Sequence, residues 1–171
     1  SSKGTVPVLQ LANQVLDESL EIISWAMEIN PTNVSSISND EQLMSNDLIQ
    51  LFDSKFKHHL DRYKYAYRYG TDADIHRDEC KTILLSLESL IDPNPWIFGK
   101  KISLLDLSIL AFIRQYKIAN PTWFFEQDFK KVINLLDCFE SSALFHLAME
   151  KFVEWNSYDP QVVIFPSESL S

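Results

Sequence analysis

Between residues 98 and 113 the chain reads FGKKISLLDLSILAFI, and from Leu104 to Ile113 only Asp106 and Ser108 are polar. Apolar positions on every face predict a helix lodged in the middle of a helical domain. Its start is legible too. Ser103 is a good N-cap whose hydroxyl can accept a backbone N–H, and Asp106 can reach back to the cap while adding negative charge at the positive helix end. Gly99, just upstream, suits a tight turn into the helix.

The same pattern predicts the other elements. Residues 5–11 are β-prone, and Val15 and Leu16 form a partner strand after the turn Ala12-Asn13-Gln14. A helix begins near Asp17 or Glu18, with Leu20, Ile22, Ile23, Trp25, Ala26 and Ile29 as its apolar face, and stops at Asn30-Pro31. The Ser- and Asn-rich stretch that follows reads as a linker. Helices are expected over 41–52, over 55–69 with a bend near Asp53-Ser54, and over 74–90 with Cys80, Ile83, Leu84, Leu87 and Leu90 inward. Residues 91–98 form a loop, and the central helix frays before Asn120-Pro121 because a residue preceding proline disfavours the α region. An aromatic turn at 123–125 leads to helices over 129–139 and 143–155. The lack of an internal repeat indicates a bundle, not a solenoid.

The spacing of Gly99, Ser103 and Asp106 resembles the capping motif of the central helix in the all-helical domain of glutathione S-transferases. The opening stretch KGTVPVLQLANQVLDESLEI, residues 3–22, resembles the second half of that family's thioredoxin-like domain, with Val6-Pro7, the turn at Ala12-Asn13-Gln14, and Glu18-Ser19 in the expected order. Residues 60–69 and 113–124 resemble a bacterial branch, and the resemblance reaches about Trp155. It implies a mainly α fold: a helical bundle like the C-terminal domain of glutathione S-transferases, preceded by a β-hairpin and helix from a thioredoxin-like domain. The boundaries it implies are 1–30 for the glutathione-binding part, 31–40 for the linker, 41–155 for the helical domain and 156–171 for a C-terminal tail.

Composition narrows the partners. A chain of 171 residues fits one domain, or a domain with a fragment of another, and 46% hydrophobic residues suffice for a sizeable core. The formal net charge of -9 argues against duplex nucleic acid or an anionic membrane as partner. No apolar run approaches the ~18 residues of a membrane span, and no signal peptide is visible. Cys80 and Cys138 lie far apart without a CxxC motif, so a reducing, cytoplasmic setting is the simplest reading. The sequence does not begin with Met, which makes Ser1 a processed, cloned or cut end.

Glutathione is the co-substrate the resemblance implies, held by Thr5, Val6, Pro7, Glu18 and Ser19. A cis Val6-Pro7 bond, as in the family, exposes the Val6 backbone to pair with the cysteinyl unit. Without the resemblance, a trans proline at a strand start would be favoured. Glu18 and Ser19 open a helix, where N–H groups and the dipole favour the γ-glutamyl carboxylate while Glu18 faces the ammonium. Taken alone, the pair reads as ordinary first-turn residues. The family's sulfur-activating Cys, Ser or Tyr lies upstream of the matching stretch, so no residue is assigned that role, and the segment reads as a glutathione S-transferase lacking its first quarter. Cys80 and Cys138 read as structural thiols.

Residues 55–69 hold 5 of the 15 basic residues and two of the four histidines. Basic side chains interleaved with tyrosine can bind single-stranded nucleic acid, but an acidic chain favours a helix with tyrosines inward and charges outward. The resemblance makes Tyr63 and Tyr67 candidates for the electrophile pocket, with Arg114 and Trp123 beside them. The histidines show no metal-ligand spacing, and no metal is expected. The function expected is conjugation or exchange of glutathione with a small electrophile or disulfide, with a noncatalytic interaction module as the alternative. Strand 5–11 is expected to have an open edge covered by a second copy, by the 162–165 apolar run of the tail, or by another piece of the parent protein, with a homodimer favoured.

Overall fold

In the computed structural model, which describes residues 4, 6–30, 37–154 and 156–158, the first element is an antiparallel hairpin of β1 (Leu9–Gln10) and β2 (Val15–Leu16). Leu9 pairs with Leu16 and Gln10 with Val15. The strand expected over 5–11 is therefore shorter, while Thr5 and the 162–165 run lie outside the described residues. Helix α1 (Ser19–Ile29) follows, and none of its residues is fully buried.

Helix α2 (Asn39–Leu51) begins before the expected position because Ser38 and Glu41 form a reciprocal capping box: the Glu41 N–H donates to Ser38 Oγ at 3.3 Å and the Ser38 N–H to Glu41 Oε2 at 2.7 Å. The bend foreseen near Asp53-Ser54 is a π-helical stretch, Phe52–Phe56, continuing into α3 (Lys57–Lys64). A second break, which periodicity does not signal, falls at Tyr65 and leaves only the short α4 (Ala66–Tyr69), closed by Gly70 at φ 60°. That left-handed position suits glycine, which carries no Cβ. The break defeats the expected inward stripe of tyrosines: Tyr63 is half-buried, but Tyr65 and Tyr69 are exposed and Tyr67 is 99% exposed.

Helix α5 (Ala73–Leu90) buries Cys80, Ile83, Leu84 and Leu87 as expected. Leu90 instead lies at its exposed end, and the next residue, Ile91, enters the core. Helix α6 (Leu104–Ala119) ends at Asn120, whose side chain caps α7 (Pro121–Phe125) by accepting from the Trp123 N–H at 3.1 Å. The aromatic turn is thus one helical turn with proline at its tolerated first position. Helix α8 (Lys130–Glu140) borrows its cap from α5, since the Glu88 carboxylate accepts from the Lys131 and Val132 N–H groups, both at 2.9 Å.

By its contacts the chain divides into a unit ending at Leu136 and another starting at Asp137. In the first, α6 packs against α1, α2, α3 and α7. Its Ile109, Leu110 and Ile113 are fully buried, as are Phe52, Phe56, Phe124 and Phe129, and Tyr116 joins Phe56 and Phe124 in edge-on aromatic contacts. In the second unit Ser142 caps α9 (Ala143–Ala148), and Phe145 packs edge-on against Phe139. Helix α9 is shorter than the expected 143–155; Phe152 and Val153 beyond it are exposed, so burial does not support the helix where they stand.

The cap of α6 is a buried knot. Ser103 Oγ accepts from the Asp106 N–H at 3.3 Å and donates to Asp106 Oδ2 at 2.6 Å, while Asp106 also accepts from the N–H groups of Ser103 at 2.8 Å and Ile97 at 3.1 Å. Burial raises the Asp106 carboxyl above its usual range, and these donors act in the opposite direction. Gly99, at φ 118° in a conformation that disfavours other side chains, turns the preceding loop, whose Trp96 and Gly99 backbones bond to each other. Replacing Asp106 with Ala removes the carboxylate half of the capping box and orphans two buried N–H groups, so the denaturation midpoint should correspond to a loss of about 2–4 kcal/mol. Ser103→Ala, which leaves the carboxylate in place, should cost about 1 kcal/mol in the same measurement.

Candidate functional site

The burial of α6 is uneven, and its less covered side forms a wall. Leu107 and Phe112 are half-buried and Ala111 is exposed, unlike Ile109, Leu110 and Ile113. A helix apolar all round was expected to be enclosed throughout; instead, Leu107, Ser108, Ala111 and Phe112 line a groove of about 490 Å³. Val6, Glu18, Ser19, Leu20 and Ile23 line it from the hairpin side, and Asp53 and Lys57 from the π-helical stretch and the start of α3. A second hollow of about 390 Å³ shares Leu20 and Asp53 and reaches Leu104 and Ile49.

Val6, Glu18 and Ser19, three of the expected glutathione contacts, therefore share one groove. The Val6-Pro7 bond is cis and Val6 is 91% exposed. Glu18 holds an extended backbone at the N-cap position, its carbonyl accepts from the Ile22 N–H at 3.2 Å, and its side chain makes no capping bond. Together with Ser19, it thus stands at the N-terminus of an eleven-residue helix, where an anion is favoured.

Tyr63, Tyr67, Arg114 and Trp123 are not among the residues lining this groove. Tyr63 and Trp123 instead flank Tyr116, with ring centroids 5.6 and 5.8 Å away. Burial raises the hydroxyls of Tyr63 and Tyr116 above the usual phenol range, and the Tyr116 hydroxyl donates to the Arg77 carbonyl at 2.7 Å. Arg77 in turn covers the Trp123 ring at 4.8 Å. Arg114 is half-buried on α6, and Tyr67 projects from α4. His59 and His76 face each other with Nδ1 atoms 2.8 Å apart; among the described residues no group of three or more His, Cys, Asp or Glu is arranged to hold a metal ion.

Sequence reasoning missed Asp53, Lys57 and the exposed stripe of α6. An opposite-charge pair at i and i+4 was a visible signal, but periodicity alone could not indicate which side of α6 lacked a neighbour. The thiols offer no nucleophile here. Cys80 is fully buried, and burial pushes it up to about 12, whereas Cys138 is half-buried. An aromatic disulfide reagent near pH 8 should therefore label Cys138 in the native protein and reach Cys80 only after denaturation. Rapid labelling of Cys80 in the folded chain would contradict its enclosure.

No protein-family model matches the chain, and no curated protein matches it in sequence. Solved structures do. A glutathione S-transferase from Actinobacillus pleuropneumoniae aligns with a TM-score of 0.68 at 15% identity, covering 85% of this chain and 68% of its own. One from Rhodospirillum rubrum gives 0.68 at 19% identity, with 89% of this chain and 73% of its own covered. One from Methylobacterium radiotolerans, in complex with glutathione sulfonate, gives 0.64 at 18% identity over 95% of this chain and 79% of its own. Among the described residues no helix is long and apolar enough to cross a membrane. At these identities the likeness is one of architecture, and the fold of this chain, a hairpin and helix followed by a helical bundle, is that of bacterial glutathione S-transferases.

Proposed function

We propose that the groove binds glutathione and that the chain serves, in its intact form, as a glutathione transferase for a small electrophile or disulfide. The observation that carries this reading is the meeting of Val6, Glu18 and Ser19 with the apolar stripe of α6 in one groove. The Val6 backbone pairs with the cysteinyl unit, as an edge strand pairs with a peptide. The N-terminus of α1 and the Ser19 hydroxyl hold the γ-glutamyl carboxylate, and Glu18 faces its ammonium. Leu107, Ala111 and Phe112 supply a water-poor wall for the second substrate. In conjugation the glutathione thiolate forms a C–S bond with the electrophilic carbon, whose electron pair leaves with the departing group or moves onto the conjugated acceptor. In exchange it attacks one sulfur of a disulfide and releases the other as a thiolate. The groove's role is to bring the reactants together in attack geometry. No described residue is assigned to activating the sulfur. A bacterial transferase with glutathione sulfonate bound shares the fold, which supports glutathione as the co-substrate.

The reading extends to a homodimer in a reducing cytoplasm, supported by α1, which has no fully buried residue and leaves Ile29 68% exposed. Such an apolar face is stabilised by a second copy. Light scattering of the parent should give twice the chain mass, and Ile29→Asp should shift it toward one; a monomeric parent would refute the pairing.

In calorimetric titrations with glutathione, Glu18→Ala and Ser19→Ala should each weaken binding by about 1.5–3 kcal/mol, since each removes a partner of a charged group. Unchanged affinity in both variants would remove these residues from the site.

A further inference from the structure

Phe52 and Phe56 are fully buried and stack at 4.6 Å, anchoring the π-helical stretch in the core. The residues following each of them, Asp53 and Lys57, are thereby held at the groove, with Lys57 Nζ 3.1 Å from Asp53 Oδ1. π-Helical insertions re-aim side chains and recur at functional sites. Their side chains are 47% and 50% exposed, so the pair is solvent-screened and readily exchanged. Among the described lining residues Lys57 is the only cation, and the α6 wall of the same groove presents Leu107, Ala111 and Phe112. Ser108 adds no free donor there, because its hydroxyl donates to the Leu104 carbonyl at 2.8 Å.

Resting on the transferase reading, we propose that the second substrate is an electrophile with an apolar body and a carboxylate, and that Lys57 is the residue that selects the carboxylate. The γ-glutamyl end of glutathione is matched to Glu18 and Ser19, and its glycyl carboxylate is the rival ligand for Lys57 that the test below separates. In the empty groove Asp53 holds the ammonium. An incoming carboxylate exchanges one screened ion pair for another while its apolar body covers α6, where exclusion of water strengthens the new pair. A neutral electrophile of the same size gains only the apolar contact.

The test uses the full chain without glutathione, titrated by NMR with meta-nitrobenzoate and with nitrobenzene, which share a ring and differ by the carboxylate. The carboxylate should bind about fivefold more tightly, a preference that rising salt reduces. Lys57→Met should abolish the preference, Lys57→Arg retain it, and Asp53→Asn widen it by removing the internal competitor. Equal affinities in the parent, or a preference that survives Lys57→Met, would overturn the assignment. So would Lys57→Met weakening glutathione while leaving nitrobenzoate unchanged, which would assign the lysine to the peptide's glycyl carboxylate. Because the nitrobenzoate and nitrobenzene titrations contain no glutathione, their failure is distinguishable from failure of glutathione binding, which separate glutathione titrations of the Glu18, Ser19 and Lys57 variants report.

Discussion

A single buried carboxylate sets the position of the central helix. Asp106 accepts from Ser103 Oγ and from the N–H groups of Ser103 and Ile97, joining the first turn of α6 to the loop that delivers it. A fully buried acid without such partners would be strongly destabilising; with them, it locks two segments in one register. The orientation of α6 follows, and with it the division between the face carrying Ile109 and Ile113 into the core and the stripe of Leu107, Ala111 and Phe112 at the groove.

A second link between core and groove is the π-helical stretch. Stacking of Phe52 on Phe56 belongs to packing, while Asp53 and Lys57 belong to the groove, and the same backbone turn serves both. Changes that loosen the aromatic core should therefore reach the charge pair without touching it. The cluster around Tyr116 plays a different part. It draws Tyr63, Trp123 and Arg77 together around one buried hydroxyl through ring contacts and a hydrogen bond.

Local chemistry made much of the fold legible. The Ser103 cap, the helix stop before Pro121, the inward residues of α5 and the hairpin around Ala12-Asn13-Gln14 all arise from interactions within a few residues, so the sequence carries them directly. The Glu88 cap on α8 was not legible, because donor and acceptor stand 43 and 44 positions apart. Nor was the break at Tyr65, where no proline or glycine interrupts the pattern. That break explains why the inward tyrosine stripe failed.

The candidate site divides along the same line. Sequence by itself determined the capped central helix and the order of hairpin and helices, because capping and short-range periodicity act over one or two turns, whereas Val6, Glu18 and Ser19 stood out only through the family resemblance. Only the tertiary structure decided that one side of an all-apolar helix remains open, that Asp53 and Lys57 stand at that opening, and that Tyr63 and Trp123 gather elsewhere around Tyr116. Apolarity states that a side chain gains by leaving water; which neighbour covers it depends on how distant segments pack.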